Sequence, residues 1–112
     1  MNIRECYDTI GADFEDVLGS ESLIQRFALK FIDDGSYNEL TEALAEKNAE
    51  KAFRAAHTLK GICLNLGLKN LYTVSSDLTE KLRGRELDGY EALYEKVSEQ
   101  YKITVNALKS VE

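Results

Sequence analysis

The only histidine of the chain, His57, lies in a stretch whose residue pattern predicts a helix. At about 100° of rotation per residue, an apolar set falls on the side opposite the imidazole: Ala52, Ala55, Leu59, Ile62, Cys63 and Leu66. An apolar arc of this kind is the face that a helix packs against a core. The sequence therefore predicts that His57 points to solvent, where an imidazole is free to react with a second molecule.

The residues one helical turn from His57 favour phosphoryl chemistry. Gly61 has no side chain, which leaves space beside the ring for an incoming molecule. Lys60 is a compact cation that suits a phosphoryl group. In the neutral imidazole one nitrogen keeps a free lone pair and acts as the nucleophile, while the other carries the proton. A lone helical histidine is most often an ordinary surface residue, so the argument depends on these neighbours.

Two apolar residues, Phe53 and Leu64, fall on the same side of the helix as His57, where polar residues are expected. Together they suggest a docking patch for a partner protein. Arg54 and Lys60 would give this patch a small basic rim. Two alternatives stay open: Arg54 could instead pair with Glu50 one turn earlier, and the apolar pair could be buried against the edge of a neighbouring helix.

Composition narrows the class of protein. The chain of 112 residues has no proline and 30% charged residues, which favours an all-helical domain. Its net charge of −6, without any basic run, argues against binding to nucleic acid. Cys6 and Cys63 match neither a metal-ligand spacing nor a disulfide framework. No stretch is long and apolar enough to insert into a membrane, so we expect a cytoplasmic protein.

Candidate helix-capping residues along the chain predict an all-α fold. Candidate capping boxes, in which a polar N-cap is followed three residues later by glutamate, begin at Asn2, Ser36 and Asp88. Ser20 and Asn48 are further candidate N-caps. We predict a single domain over residues 1–112. It consists of an up-down-up-down four-helix bundle over about 20–111, with additional N-terminal helices over about 1–19. Core stripes are predicted at Ile24, Phe27, Ala28 and Phe31, and at Leu71, Ser75, Leu78 and Leu82.

The run Ala56-His57-Thr58-Leu59-Lys60-Gly61, followed by Asn65-Leu66-Gly67, resembles the signature of histidine-containing phosphotransfer (HPt) domains. The resemblance extends over about residues 20–110. By position it implies that His57 is the phosphoacceptor, that Lys60 assists the phosphoryl group and that Gly61 leaves the space. Many relatives place a side-chain amide on the next helix, bonded to the inner ring nitrogen of the histidine. The matching position is Thr79, whose shorter side chain would leave that bond to a water molecule.

The resemblance also implies the partners. These are response-regulator receiver domains and a hybrid histidine kinase of a two-component phosphorelay, with His57 taking a phosphoryl group from one receiver aspartate and giving it to another. The chain would be half an active site, with no ATP-dependent kinase activity, no cofactor of its own and Mg²⁺ on the receiver. A monomer is expected. Three alternatives stay open: the phosphoacceptor domain of a chemotaxis-type kinase, a non-catalytic helical adaptor, and a histidine-ligated metal site.

Overall fold

The computed structural model describes residues 1–112 and contains only helices. The six α-helices are α1 (Ile3–Thr9), α2 (Glu21–Lys30), α3 (Ser36–Ala45), α4 (Ala49–Asn65), α5 (Lys69–Leu82) and α6 (Glu91–Leu108). Short 3₁₀ turns at Phe14–Asp16 and Phe31–Asp33 follow the first two helices. The prediction of an all-α fold is confirmed.

Helices α3 to α6 form a bundle in which α4, the helix that carries His57, packs against both α3 and α5. Each of these helices packs against the next one in the chain, and the turns between α3, α4 and α5 are tight, so neighbours run antiparallel. The predicted stripe of Leu71, Ser75, Leu78 and Leu82 on α5 is buried, as is the apolar face of α4 apart from the half-buried Ile62. Burial of these two faces fixes how α4 is rotated, and this rotation decides which residues reach solvent.

The N-terminal segment is fastened to the end of α4. The hydroxyl of Tyr7 on α1 donates to the carbonyl oxygen of Leu66 at 2.6 Å, in a buried hydrogen bond. The backbone N–H of Asp13 donates to the carbonyl oxygen of Gly67 at 2.8 Å. Gly67 has φ +67°, and a Cβ at this position would collide with the carbonyl oxygen of Asp13. Glycine is therefore required here, both to end α4 and to admit the N-terminal chain.

Three local predictions are wrong. Ser36 is the first residue of α3, and its N–H donates to the carboxylate of Asp34, so it does not form a capping box. The N-cap of α6 is Tyr90 without a side-chain cap, so Asp88 does not form one either. Phe27 is 45% exposed, so it is not the core residue that the stripe of α2 predicted. The capping box at Asn2 and the N-caps at Ser20 and Asn48 are confirmed.

Helices α3 and α6 are joined by a tyrosine cluster on the bundle side. The ring of Tyr37 stacks on that of Tyr101, with centroids 4.0 Å apart. The hydroxyl of Tyr37 donates to Ser98 at 2.9 Å and lies 3.1 Å from the hydroxyl of Tyr94. Such a half-buried polar network fixes the register between the two helices.

Candidate functional site

The imidazole of His57 stands on the solvent side of α4. The helix begins at the N-cap Asn48, whose side chain accepts the N–H of Lys51 at 3.1 Å, and it ends before Gly67. Ala52, Leu59 and Cys63 on its inner face are fully buried. His57 is exposed, as the pattern predicts. No side-chain hydrogen bond of the protein holds its ring, so the imidazole is available to a reacting partner.

Gly61 and Lys60 lie one turn further along α4. A Cβ at Gly61 would meet no atom within 4 Å, so the space beside the imidazole is open. Lys60 is partly exposed and forms no ion pair. Its ammonium group is near enough to Glu80 on α5 to contribute to lowering the pKa of that carboxylate. These two residues occupy the positions that the sequence predicted for them.

Phe53 is not the exposed docking anchor that the sequence predicted. It is only 9% exposed, because two arginines of the α5–α6 connection lie over its ring. The Cζ of Arg85 is 3.8 Å from the ring centroid, and the Cζ of Arg83 is 5.3 Å from it. The imidazole of His57 is 5.9 Å from the same centroid. Phe53 therefore supports the residues around it instead of offering its own surface.

Thr79 makes no direct hydrogen bond to His57, and the water-mediated role that the resemblance implied stays a prediction. Its side chain is fully buried, and its hydroxyl donates to the carbonyl oxygen of Ser75 at 2.7 Å. The burial of Thr79 follows from the rotation of α5. Thr79 lies one turn after Ser75 and beside Leu78, on the face that packs against the core. Glu80, the next residue, is the exposed one.

Arg54 and Leu64 are exposed on either side of His57 along α4. The Nε of Arg54 donates to a carboxylate oxygen of Glu50 at 2.9 Å, so the alternative pairing with Glu50 is present in the structure. Arg54 still reaches solvent. Leu64 is 61% exposed, as a docking residue has to be. Its use by a partner stays a prediction.

A basic hollow beside the imidazole contains a residue that sequence reasoning missed. It is lined by Phe53, Arg54, His57, Thr58 and Arg83. Arg83 follows the end of α5, and its guanidinium donates to Glu80, with the shortest contact at 2.6 Å from Nη2 to Oε2. That hydrogen bond holds the pKa of the Glu80 carboxylate below its usual range, and the charges of Arg83, Lys60 and His57 contribute further. The one signal in the sequence was the pair of arginines around Gly84.

A second missed feature is an apolar groove between the N-terminal segment and α4. Leu18 is 92% exposed and Phe27 is 45% exposed. Together with Val17 and Leu66 they line the groove with two residues of α4, Ile62 and Asn65. Asn65 lies two turns beyond His57, on the Gly61 side of the helix. The exposed apolar surface thus runs from the end of α4 onto α2.

Comparison with known protein families decides the class. The sequence model of the Hpt domain matches residues 35–110 of the 112 residues, a span that includes α3 to α6 and the whole site around His57.

The chain belongs to the Hpt domain family.

Hpt domains carry out histidine phosphotransfer in phosphorelays, and they interact with receiver domains and kinases. Helices α1 and α2 precede the matched span of this Hpt domain. No curated protein and no solved structure matches the chain. The described residues include no group of three His, Cys, Asp or Glu side chains that could hold a metal ion, and none of the helices has the length and hydropathy needed to cross a bilayer.

Proposed function

We propose that His57 accepts a phosphoryl group from the aspartate of one receiver domain and donates it to the aspartate of another. The observation that carries the proposal is the exposed imidazole of α4 with open space at Gly61, inside the span that matches the Hpt domain. An imidazole nitrogen with a free lone pair attacks phosphorus, the P–O bond of the aspartyl phosphate breaks, and the carboxylate leaves. The reverse reaction passes the group on.

The chemistry needs alignment and charge neutralisation more than acid–base catalysis, since the transition state of phosphoryl transfer is largely loose. Lys60 supplies one positive charge near the ring. We propose that the receiver supplies the remainder, including its own Mg²⁺, so that the chain contributes half of an active site. No ATP-dependent activity of its own is part of the proposal.

Docking is proposed on the surface around His57. Leu64 and the groove that contains Leu18 and Phe27 supply exposed apolar contact area. Arg54 and Arg83 make the hollow beside His57 locally basic, although the whole chain carries a net charge of −6. A basic hollow with an apolar flank fits the acidic pocket that surrounds a phosphorylated aspartate and its metal ion. A hybrid kinase would supply such a receiver upstream, and a response regulator would supply the one downstream.

The direct test is transfer from a purified phosphorylated receiver domain in the presence of Mg²⁺. We expect label on the wild-type chain and none on His57→Gln, with the same helical circular dichroism. Labelling of His57→Gln would show that another residue is the acceptor. Gly61→Gln should block transfer by filling the space beside the ring. The matched control is Ala92→Gln, which adds the same side chain at an exposed position of α6 and should transfer normally.

A further inference from the structure

The imidazole of His57 is exposed to solvent, yet it lies against a second aromatic ring. Its centroid is 5.9 Å from that of Phe53, with 46° between the two ring planes. Aromatic pairs attract each other at centroid distances of about 4.5–7 Å. The imidazole has no direct hydrogen bond to another residue, and the hydroxyl of Thr79 donates to the Ser75 carbonyl oxygen instead. The contact with Phe53 therefore restrains the imidazole without a hydrogen bond.

We propose that Phe53 positions the imidazole of His57 for phosphoryl transfer by holding the ring towards the start of α4. This inference rests on the proposed function of His57. Side chains of a helix lean towards its N-terminus, over the residue four positions earlier, and that residue is Phe53. The residue four positions later is Gly61, where a Cβ would meet no atom within 4 Å. One neighbour thus supports the ring, and the other leaves its far side open to the phosphoryl donor.

The ring of Phe53 is itself fixed by its surroundings. Only 9% of the residue is exposed, and the Cζ of Arg85 is 3.8 Å from the ring centroid. The Nε of Arg85 donates to Glu50 on α4 at 2.6 Å, so the covering guanidinium is bound to the same helix. The Cζ of Arg83 adds a further contact at 5.3 Å. Phe53 therefore presents a support that stays in place when the imidazole packs on it.

A positioned imidazole should react faster than one that rotates freely. An exposed helical side chain samples more than one staggered rotamer, and not every rotamer directs the nucleophilic nitrogen at the donor. Packing on Phe53 reduces this freedom before the donor arrives, so less entropy is lost on the way to the transition state. Phosphoryl transfer depends mainly on alignment and charge neutralisation. Phe53 therefore raises the rate at which His57 is phosphorylated without contacting the phosphoryl group.

The first test observes the ring directly by nuclear magnetic resonance. His57 is the only histidine of the chain, so its imidazole signals need no separate assignment. In the wild-type protein we expect nuclear Overhauser contacts between the imidazole and Phe53, and imidazole shifts displaced from those of the urea-unfolded chain. Phe53→Leu keeps an apolar side chain without the aromatic ring and should move these shifts towards the unfolded values. Unfolded-like shifts in the wild type, without those contacts, overturn the proposal even if the variant fails to fold.

The second test measures reactivity with phosphoramidate, a small donor that needs no docking surface. The ring nitrogen attacks its phosphorus, the P–N bond of the donor breaks, and ammonia leaves. We expect Phe53→Leu to slow the labelling of His57 about twofold to tenfold, the factor that corresponds to one aromatic pair. Phe53→Tyr keeps an aromatic ring and should retain most of the wild-type rate.

A phosphorylated receiver domain as donor separates positioning from docking. In Phe53→Leu the maximal transfer rate should fall by the same factor as with phosphoramidate. The half-saturating receiver concentration should stay the same, because Phe53 offers little surface to a partner. A higher half-saturating concentration with an unchanged maximal rate would make Phe53 a docking residue and overturn the proposal.

The chain offers a closely matched control in Phe14. This residue is also 9% exposed, and the Cζ of Arg4 lies 4.3 Å from its ring centroid. It belongs to the N-terminal segment and does not line the hollow around His57. Phe14→Leu therefore removes an aromatic ring of the same burial, and it should leave the imidazole shifts and the labelling rate unchanged.

The outcomes separate the two proposals. Equal labelling rates for wild type and Phe53→Leu overturn the role of Phe53 and leave the phosphoacceptor intact. An equal slowing in Phe14→Leu overturns it as well, because the effect would then follow the stability of the fold. Wild-type protein that takes no phosphoryl group at His57 overturns both proposals. Labelling by phosphoramidate without labelling by any phosphorylated receiver contradicts the proposed relay alone.

Discussion

The guanidinium of Arg85 lies over the ring of Phe53, with 3.8 Å between the Cζ and the ring centroid. Phe53 lies one turn before His57 on the solvent side of α4, yet this contact leaves it only 9% exposed. The same guanidinium donates to Glu50 at 2.6 Å. The side chain of Arg85 therefore covers Phe53, so that Phe53 packs beneath the surface beside His57 and is not part of it.

Replacing Arg85 should uncover Phe53. We expect Arg85→Ala to lower the free energy of unfolding by about 0.5–1 kcal/mol through loss of the cation–π contact, as measured by urea denaturation. Arg4→Ala removes the corresponding contact with Phe14 and should cost a similar amount. An unchanged free energy of unfolding in Arg85→Ala would contradict the cation–π contact between Arg85 and Phe53.

Glycine at position 61 should make the fold less stable than alanine at the same position would. It lies within α4 and a Cβ there would meet open space, so Gly61→Ala should raise the free energy of unfolding by about 0.8–1 kcal/mol through helix propensity. We expect phosphoryl transfer from a receiver to slow in the order glycine, alanine, glutamine. Transfer rates that ignore side-chain size would contradict the need for space beside the imidazole.

Gly67 is a control for the prediction at Gly61, because glycine is required at position 67 for the stability of the fold. Gly67→Ala should lower the free energy of unfolding by at least about 2 kcal/mol, because φ is +67° and the new Cβ collides with the Asp13 carbonyl oxygen. A mild effect would show that the N-terminal chain can move away from the end of α4 at little cost.

Ser75 offers a stabilising substitution. Its hydroxyl is buried and has no hydrogen-bond partner, and a buried unpaired polar group costs about 1–3 kcal/mol. Ser75→Ala should therefore raise the free energy of unfolding by about 1 kcal/mol, measured by thermal or urea denaturation. Thr79→Val should act in the opposite direction, since it removes a hydroxyl that donates to the Ser75 carbonyl. Destabilisation by Ser75→Ala would reveal a partner for that hydroxyl.

Alkaline pH should destabilise the fold through Cys63. Burial raises the pKa of its thiol from 9.0 to about 12. Above pH 9 the unfolded chain loses this proton while the folded chain keeps it, so the free energy of unfolding falls by about 1.4 kcal/mol per pH unit from this group. This contribution is fully present below pH 9 and is lost as the pH rises towards the folded pKa. Urea denaturation at pH 8 to 10 should show a shallower decline for Cys63→Ala.

Helix boundaries and the orientation of α4 were readable from the sequence because both depend on local signals. Asn48 and Gly67 mark the ends of α4, and its apolar period fixes which side His57 occupies. The same reasoning failed at Ser36 and Asp88, because the N-caps are Gly35 and Tyr90. Alternative N-cap positions near the start of a helix differ by too little free energy for the residue pattern to decide between them.

The missed residues of the site depend on contacts between distant segments. Arg85 meets Phe53 only because the α5–α6 connection folds back onto α4, and no periodicity runs through that connection. Thr79 was matched by motif spacing, whereas its burial follows from the rotation of α5. Phe27 belongs to the apolar stripe of α2, but exposure depends on whether another helix covers that stripe. These outcomes required the three-dimensional arrangement.

Both ends of α4 are anchored outside the helix itself, by Glu50 to Arg85 near its start and by Gly67 to Asp13 just after its end. The imidazole of His57 is therefore carried by a helix whose position is fixed at both ends. A docking domain meets a surface that is already shaped, and little conformational entropy is lost when the two associate. Such preorganisation lets a modest contact area suffice for the short-lived encounters that the proposed relay requires.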